Sequence, residues 1–356
     1  MPSVNEQLQD SAIGHAIDFT RYSNGVVKRL IALLNRSDAD IFAQINRALE
    51  RLPAESFTVE RLDMLLQDVR RINEAAYLQL RHGLEGELRE LVTYEASYQM
   101  QLFQSALPVQ LSVAAVSVDQ VYSAALARPM QNRLLSEWAK GMEADKMIRI
   151  RDALRMGYVE GETISQMVQR IRGTRAKGYE DGIIQTDMRN CEAIVRTAIS
   201  HTANHTRQKF YESNESLIKA LAWVSTLDSR TSSVCQARDG KQFPLNSGPR
   251  PPAHFNCRST MVPVLRSWRE LGIDIDELPE STRSSMDGQI PETTTYQTWL
   301  KGKPASFQDD ILGKTKGALF RRGDLPLDRF VDKAGKEYTL DQLREKNAAA
   351  FAKAGL

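Results

Sequence analysis

Residues 223–264 read WVSTLDSRTSSVCQARDGKQFPLNSGPRPPAHFNCRSTMVPV, and this stretch decides the fold of the second half of the chain. LAWVST (221–226) is rich in β-formers and alternates. Turn residues then take over at Asp228, Ser229, Asp239, Gly240, Pro244 and 246–252, and residues 258–265 read as a returning strand. Two short strands joined by a long ordered loop, and fed by a preceding helix, predict a small α+β module. Within it Cys235, His254 and Cys257 stand in the pattern C-x18-H-x2-C.

Upstream the texture is helical. Leu62, Leu65, Leu66, Val69, Ile72, Ala76, Leu80, Leu84, Leu88, Leu91 and Tyr94 follow one another at mostly three- and four-residue steps, and Pro108 stops the run. The pattern allows one rod of about 75 Å or two helices hinged near Gly83 and Gly86; the expectation is a hairpin or bundle. Ser37 and Asp38 read as caps of a helix that Pro53 ends, and Ser117 as the cap of a helix through Ala127. Pro129 reads as the opening of a helix to about Met156. A short helix at 164–171 precedes a basic loop, in which Arg170, Arg172, Arg175 and Lys177 are candidates for DNA contact, against the plainer reading of a solvated loop. A long helix over about 186–213 carries His201 and His205 one turn apart.

Pro291 to Thr295 resembles a linker, and residues 340–351 read as a terminal helix. The predicted fold class is α+β, predominantly α-helical. Its expected segments are a helical domain (1–180) with a long helix or hairpin, an α+β module (181–270), and an extension of short helices and loops (271–356).

With 47 basic and 45 acidic residues the chain is nearly neutral, so any nucleic-acid contact has to come from a local patch. Three cysteines do not make a secreted disulfide framework. The polar start MPSVNEQLQDSA lacks the apolar core of a signal peptide, and no apolar run is long enough for a membrane span, so a reducing cytoplasm is expected.

Thiolates and imidazole are zinc ligands, and Cys235, His254 and Cys257 supply three of the four that a structural site takes. His201, Asp228, Asp239 or water are candidates for the fourth. The same residues also fit a metal-free structural knot or, with a bound water, a catalytic metal. H-F-N-C holds no glutamate placed as general base. G-x-S-x-G, the phosphate-binding G-x-x-x-x-G-K-[ST] and the deaminase H-x-E with P-C-x-x-C do not occur. Asp228 predicts an Asx-type turn, and Arg230 is the expected staple for a carboxylate there.

These residues carry a family resemblance. WVSTLDSRTSxxC, DGKxFP and PPAHxNCRST, with Trp223, Asp228, Arg230, Asp239, Gly240 and Arg258 in the motif, resemble the phage Mu F-like head morphogenesis proteins, the minor capsid proteins of tailed phages. The likeness begins at IVRTAISHTANHTRQKFY (194–211) and extends to about residue 345. Many relatives have C-R-C where this chain has Cys257, Arg258 and Ser259, which separates the motif from a uniform metal site.

The resemblance implies a structural, non-enzymatic protein of the virion head, assembled in the bacterial cytoplasm and placed at the portal vertex or capsid interior. Portal, major capsid or scaffolding protein are the implied partners, with genomic DNA a further one in packaging or ejection. The amphipathic stripe of the N-terminal half is the expected partner surface. The competing class is a metal-dependent hydrolase or nuclease carried in the head.

Overall fold

A computed structural model describes residues 4–50, 59–107, 111–160, 162–267, 269–271, 282–291 and 293–356. Helices dominate, as the sequence predicts, and one small three-stranded sheet accompanies them. Two compact units divide the chain: residues 20–92 with 122–202, and residues 1–19 with 93–121 and 203–356. These units cut across the segments expected from sequence, because long helices supply residues to both.

The first unit is helical. It draws on α1 (Val4–Glu50), α2 (Val59–Ala106), α4 (Leu135–Val159), α5 (Ile164–Arg172) and α6 (Ile183–Ser213), and on part of α3 (Val118–Ala127). Ile41 and Ile45 of α1, Leu65 and Val69 of α2, Ile150 and Leu154 of α4, and Ile171 of α5 form one apolar core. Further along α2, Leu80, Leu84, Leu88 and Leu91 of the stripe predicted from sequence are all buried, while Tyr94 at its end is 55% exposed.

The expected hairpin is also corrected. α2 runs 48 residues without a break. Gly83 and Gly86 lie inside it, and a Cβ at Gly83 would stand 3.1 Å from Leu30 Cδ2. Glycine there permits close packing of α1 on α2 and makes no hinge.

Ser37 and Asp38 do not cap a helix; α1 passes straight through them. Asp38 is buried and accepts from Lys146 Nζ at 2.5 Å. Lys146 also lies 3.7 Å from Asp187, which accepts the Tyr77 hydroxyl at 2.5 Å. Burial raises the pKa of both carboxyls, and Lys146 opposes it. A tertiary ion pair has overridden the local preference of aspartate for helix ends. Pro53 and Pro108, the expected stops, lie outside the described residues.

Ser117 does precede α3, its hydroxyl 3.4 Å from the Gln120 amide. Pro129, however, opens a turn and not a helix: Gln131 and Asn132 take positive φ, and Met130 pairs with Arg133. α4 starts only at Leu135, with Glu137 accepting from the Leu134 amide at 2.7 Å. α5 starts on a capping box between Thr163 and Gln166.

The second unit holds β1 (Ile218–Val224), α7 (Ser233–Arg238), β2 (Gln242–Phe243) and β3 (Thr260–Leu265). They form an antiparallel sheet in the order β2-β1-β3, with Trp223 opposite Met261 and Leu221 opposite Pro263. Pro263 is tolerated because β3 is an edge strand. Trp223, Phe103, Phe210, Leu221 and both cysteines pack in the core beneath.

The extension adds the hairpin β4 (Thr282–Ser285) and β5 (Gly288–Pro291), then α8 (Tyr296–Lys301), α9 (Ala305–Leu312), α10 (Lys314–Arg321), α11 (Leu340–Lys346) and α12 (Ala348–Ala354). Tyr296, Leu300, Leu319, Phe320, Leu343 and Phe351 give it a core of its own. The supposed linker at 291–295 ends in Thr295, which caps α8. The single terminal helix expected over 340–351 is two, parted at Asn347 with φ −138° and ψ 42°.

Candidate functional site

The site is built where α7 and the segment entering β3 meet the end of β1. Ser232 takes the extended backbone of an N-cap, yet its hydroxyl makes no capping bond and instead lies 2.7 Å from His254 Nε2. One turn on, Cys235 places its sulfur 3.3 Å from His254 Nε2 and 3.7 Å from Cys257 Sγ. A tight turn, with Asn256 at φ 57° and the Cys257 amide donating to the His254 carbonyl at 3.3 Å, brings His254 and Cys257 to one side. The two thiols are 2% and 4% exposed, so the cluster sits within the module and not on its surface.

The electrostatics are those of a paired thiol. The hydrogen bond from Cys235 holds the Cys257 thiol below the usual range, against the effect of burial and with help from His254. The same bond, with burial, pushes Cys235 up. His254 is raised by its hydrogen bond with Cys257, and burial opposes that.

Among the described residues, Cys235, His254 and Cys257 form the one group of three or more potential metal ligands within 4.8 Å of one another. His201, Asp228 and Asp239, the candidates for a fourth position, do not join it. His201 is a half-buried residue of α6, its pKa held down by that burial and its ring bonded toward the Ala125 carbonyl.

Asp228 closes the turn after β1, as predicted, accepting from the Arg230 amide at 3.0 Å and the Thr231 hydroxyl at 3.1 Å. Its staple is not Arg230, whose side chain is 81% exposed and 3.7 Å away. Arg258 grips it bidentately, at 2.6 and 2.8 Å. Burial raises the Asp228 carboxyl, and Arg258 together with the Arg230 amide and the Thr231 hydroxyl outweighs it and keeps the pKa below the ordinary value.

Asp239, in the sequence a turn and motif position and a candidate fourth ligand, is a hub of the fold. Fully buried, it accepts from the Ser225 and Tyr296 amides, both at 2.7 Å, and from Arg283 at 3.1 Å. Arg283 in turn donates to the carbonyls of Ser225 and Thr294, each at 2.9 Å. Gly240 follows at φ 77°, and a Cβ there would lie 2.8 Å from Thr295 Cγ2. The backbone angle and the close approach both demand glycine.

Several contributors were missed. Arg283 lies 44 residues from Asp239. Arg250 ties the loop by donating to the Pro244 and Leu245 carbonyls at 2.6 and 2.8 Å. Ser225 bridges the Trp223 indole N–H, the Cys235 carbonyl and the Ser259 hydroxyl, each at 3.0 Å. Arg207 donates to Glu95 at 2.6 Å, and Glu95 also contacts His15 at 2.7 Å. A lone arginine or serine in a helix or turn carries no local signal of such a distant partner.

The basic loop folds largely onto its own acids. Arg170 pairs with Glu160 and Glu162, Arg172 stands 5.0 Å from the Tyr179 ring, and Lys177 lies 4.0 Å from Asp181. Arg175 is exposed.

Residues 148–262, from within α4 to within β3, match the family described as Phage Mu protein F like protein, and this part of the chain is similar to that family. The match takes in the whole Cys/His group, Asp228, Asp239 and Arg258. It begins further upstream than the sequence motifs suggest and stops short of the extension. Neither the curated proteins nor the solved structures contain a match to this chain. No helix among the described residues is long and apolar enough to cross a membrane.

Proposed function

We propose that the chain is a structural minor protein of a tailed-phage head, acting in head morphogenesis at the portal vertex or on the capsid interior. The observation that carries this reading is the Mu F-like match over residues 148–262. The chemistry of the matched segment supports it. Asp228 and Arg258 are spent on one another, Asp239 on Arg283 and backbone amides, and Cys235, His254 and Cys257 clasp two segments of one module.

Portal, major capsid or scaffolding protein are the partners this role calls for, with packaged DNA a further contact through the exposed part of the 170–177 loop. Assembly takes place in the host cytoplasm and the product stays in the virion head.

The test is to tag the chain in the phage that encodes it and to blot purified procapsids, heads and tails. The expected result is a band in procapsids and heads. Absence from both overturns the proposal. Co-expression with the portal protein of the same phage tests the finer placement: a complex that survives gel filtration supports the vertex, and its absence removes the vertex as the site.

A further inference from the structure

We infer that Cys235, His254 and Cys257 hold one zinc-class divalent cation, which clips α7 to the loop entering β3. The argument is geometric and independent of the head-assembly reading. A tetrahedral ion with sulfur at about 2.3 Å and nitrogen at about 2.05 Å sets two sulfurs about 3.8 Å apart and a sulfur about 3.6 Å from the nitrogen. The observed separations are 3.7 Å between the sulfurs and 3.3 Å between Cys235 Sγ and His254 Nε2. Two edges of one face of a coordination tetrahedron are therefore already close to their length, and the third, from Cys257 Sγ to the His254 ring, is within 4.8 Å.

The histidine is set up for ligation by its other nitrogen. Nδ1 lies 2.7 Å from the Phe255 carbonyl, a bond in which the ring must donate. That fixes the proton on Nδ1 and leaves the Nε2 lone pair facing the thiols, the arrangement that a backbone carbonyl imposes on metal-bound histidines.

The fourth corner falls to oxygen. Among the described residues no further His, Cys, Asp or Glu joins the group, while the Ser232 hydroxyl is 2.7 Å from Nε2. It either ligates directly or holds a water there. Without a carboxylate in the cluster to take a proton from that water, the ion's work is structural. It joins residues 19 and 22 positions apart in a segment whose strands are short.

The experiment uses the full chain, purified under reducing conditions without chelator, then stripped and titrated with Zn2+ and Co2+. Expected are one equivalent of zinc by elemental analysis, a sulfur-to-cobalt charge-transfer band, and tetrahedral d–d bands of high intensity. Zinc should protect Cys235 and Cys257 from alkylation while leaving the behaviour of Cys191, buried in α6, unchanged.

Cys257→Ser and His254→Gln should weaken binding by about 100-fold or more, and Cys191→Ser should not alter it. The stripped wild-type protein, assayed directly, keeps the test decisive if a variant fails to fold. Reduced wild-type protein that takes up no equivalent of zinc overturns the inference. So do an obligatory Cys235–Cys257 disulfide in protein isolated from the cytoplasm, and a bound ion indifferent to Cys257→Ser.

Discussion

The helical unit and the sheet module are held together by different means. In the helical unit, five long or medium helices lay apolar faces on one another, and Ile41, Val69, Ile150, Leu154 and Ile171 are completely buried. Polar insertions interrupt that packing, among them Lys146 with Asp38, Asp187 and Tyr77. The sheet module has strands of seven, two and six residues, and the two-residue β2 adds little pairing to β1 and β3. It relies on cross-ties between residues far apart in sequence: Asp239 with Arg283, Asp228 with Arg258, Arg207 with Glu95, and the Cys/His cluster. Long elements can be stabilised by repetition of one pattern, whereas short ones depend on particular pairs. A fault in the first weakens the unit in proportion, and a fault in the second leaves a buried charge alone.

That contrast can be broken at Asp239. Asp239→Ala strands the Arg283 cation, whose side chain is 3% exposed, and leaves two buried amides without their acceptor. The expected loss is about 3–5 kcal/mol, read from the urea midpoint, with the near-UV signal of the buried Trp223 lost first. A loss below about 1 kcal/mol would show that the module does not depend on this tie.

In the helical unit, Leu84→Ala removes one member of the seam. Leu84 is 2% exposed, and the expected cost is about 2–5 kcal/mol with the helical circular dichroism retained in water. An equal fall in helix content at room temperature would deny that repetition protects this unit.

Glu95 sharpens the comparison through pH. Burial alone would raise its carboxyl, but Arg207 and His15 lower it from 4.5 to about 2. Because the folded-state pKa lies below the ordinary one, the stabilisation is fully present above about 4.5 and is lost as pH falls toward about 2. Glu95→Gln should therefore be less stable than the wild type at neutral pH, with the difference closing over that window. A difference that does not change with pH would mean the pair contributes by packing and not by charge.

The smallest expected effect is at the start of α5. Thr163→Ala removes the capping box with Gln166 and should cost about 1 kcal/mol. Hydrogen exchange should show fraying confined to the first turn of that helix.

How much of this was legible differs element by element. The α2 stripe, two strands read at 221–226 and 258–265 and found at 218–224 and 260–265, the cap at Ser117, the Asx turn at Asp228 and the grouping of Cys235 with His254 and Cys257 all follow from spacing or turn chemistry. The misreadings share one cause. Local preference is overruled or redirected by a neighbour: at Asp38 by Lys146, at Gly83 by Leu30, and after Pro129 by the Gln131–Asn132 turn. Arg230, two residues away, is the staple that local spacing predicts, and only the return of β3 beside β1 brings Arg258 to Asp228.

By itself, then, the sequence determined the helical dominance, the seam of α2, the α+β character of residues 218–265 and the likeness to phage head proteins, because these rest on periodicity and on motifs read within a few tens of residues. The tertiary structure alone decided that α2 is one helix, that Asp38 faces Lys146, that Asp239 is locked by Arg283 and that the two thiols stand 3.7 Å apart beside the His254 ring. The physical reason is that a buried charge or a ligand cluster is settled by whichever group the fold delivers across space, and no local preference carries the identity of that group.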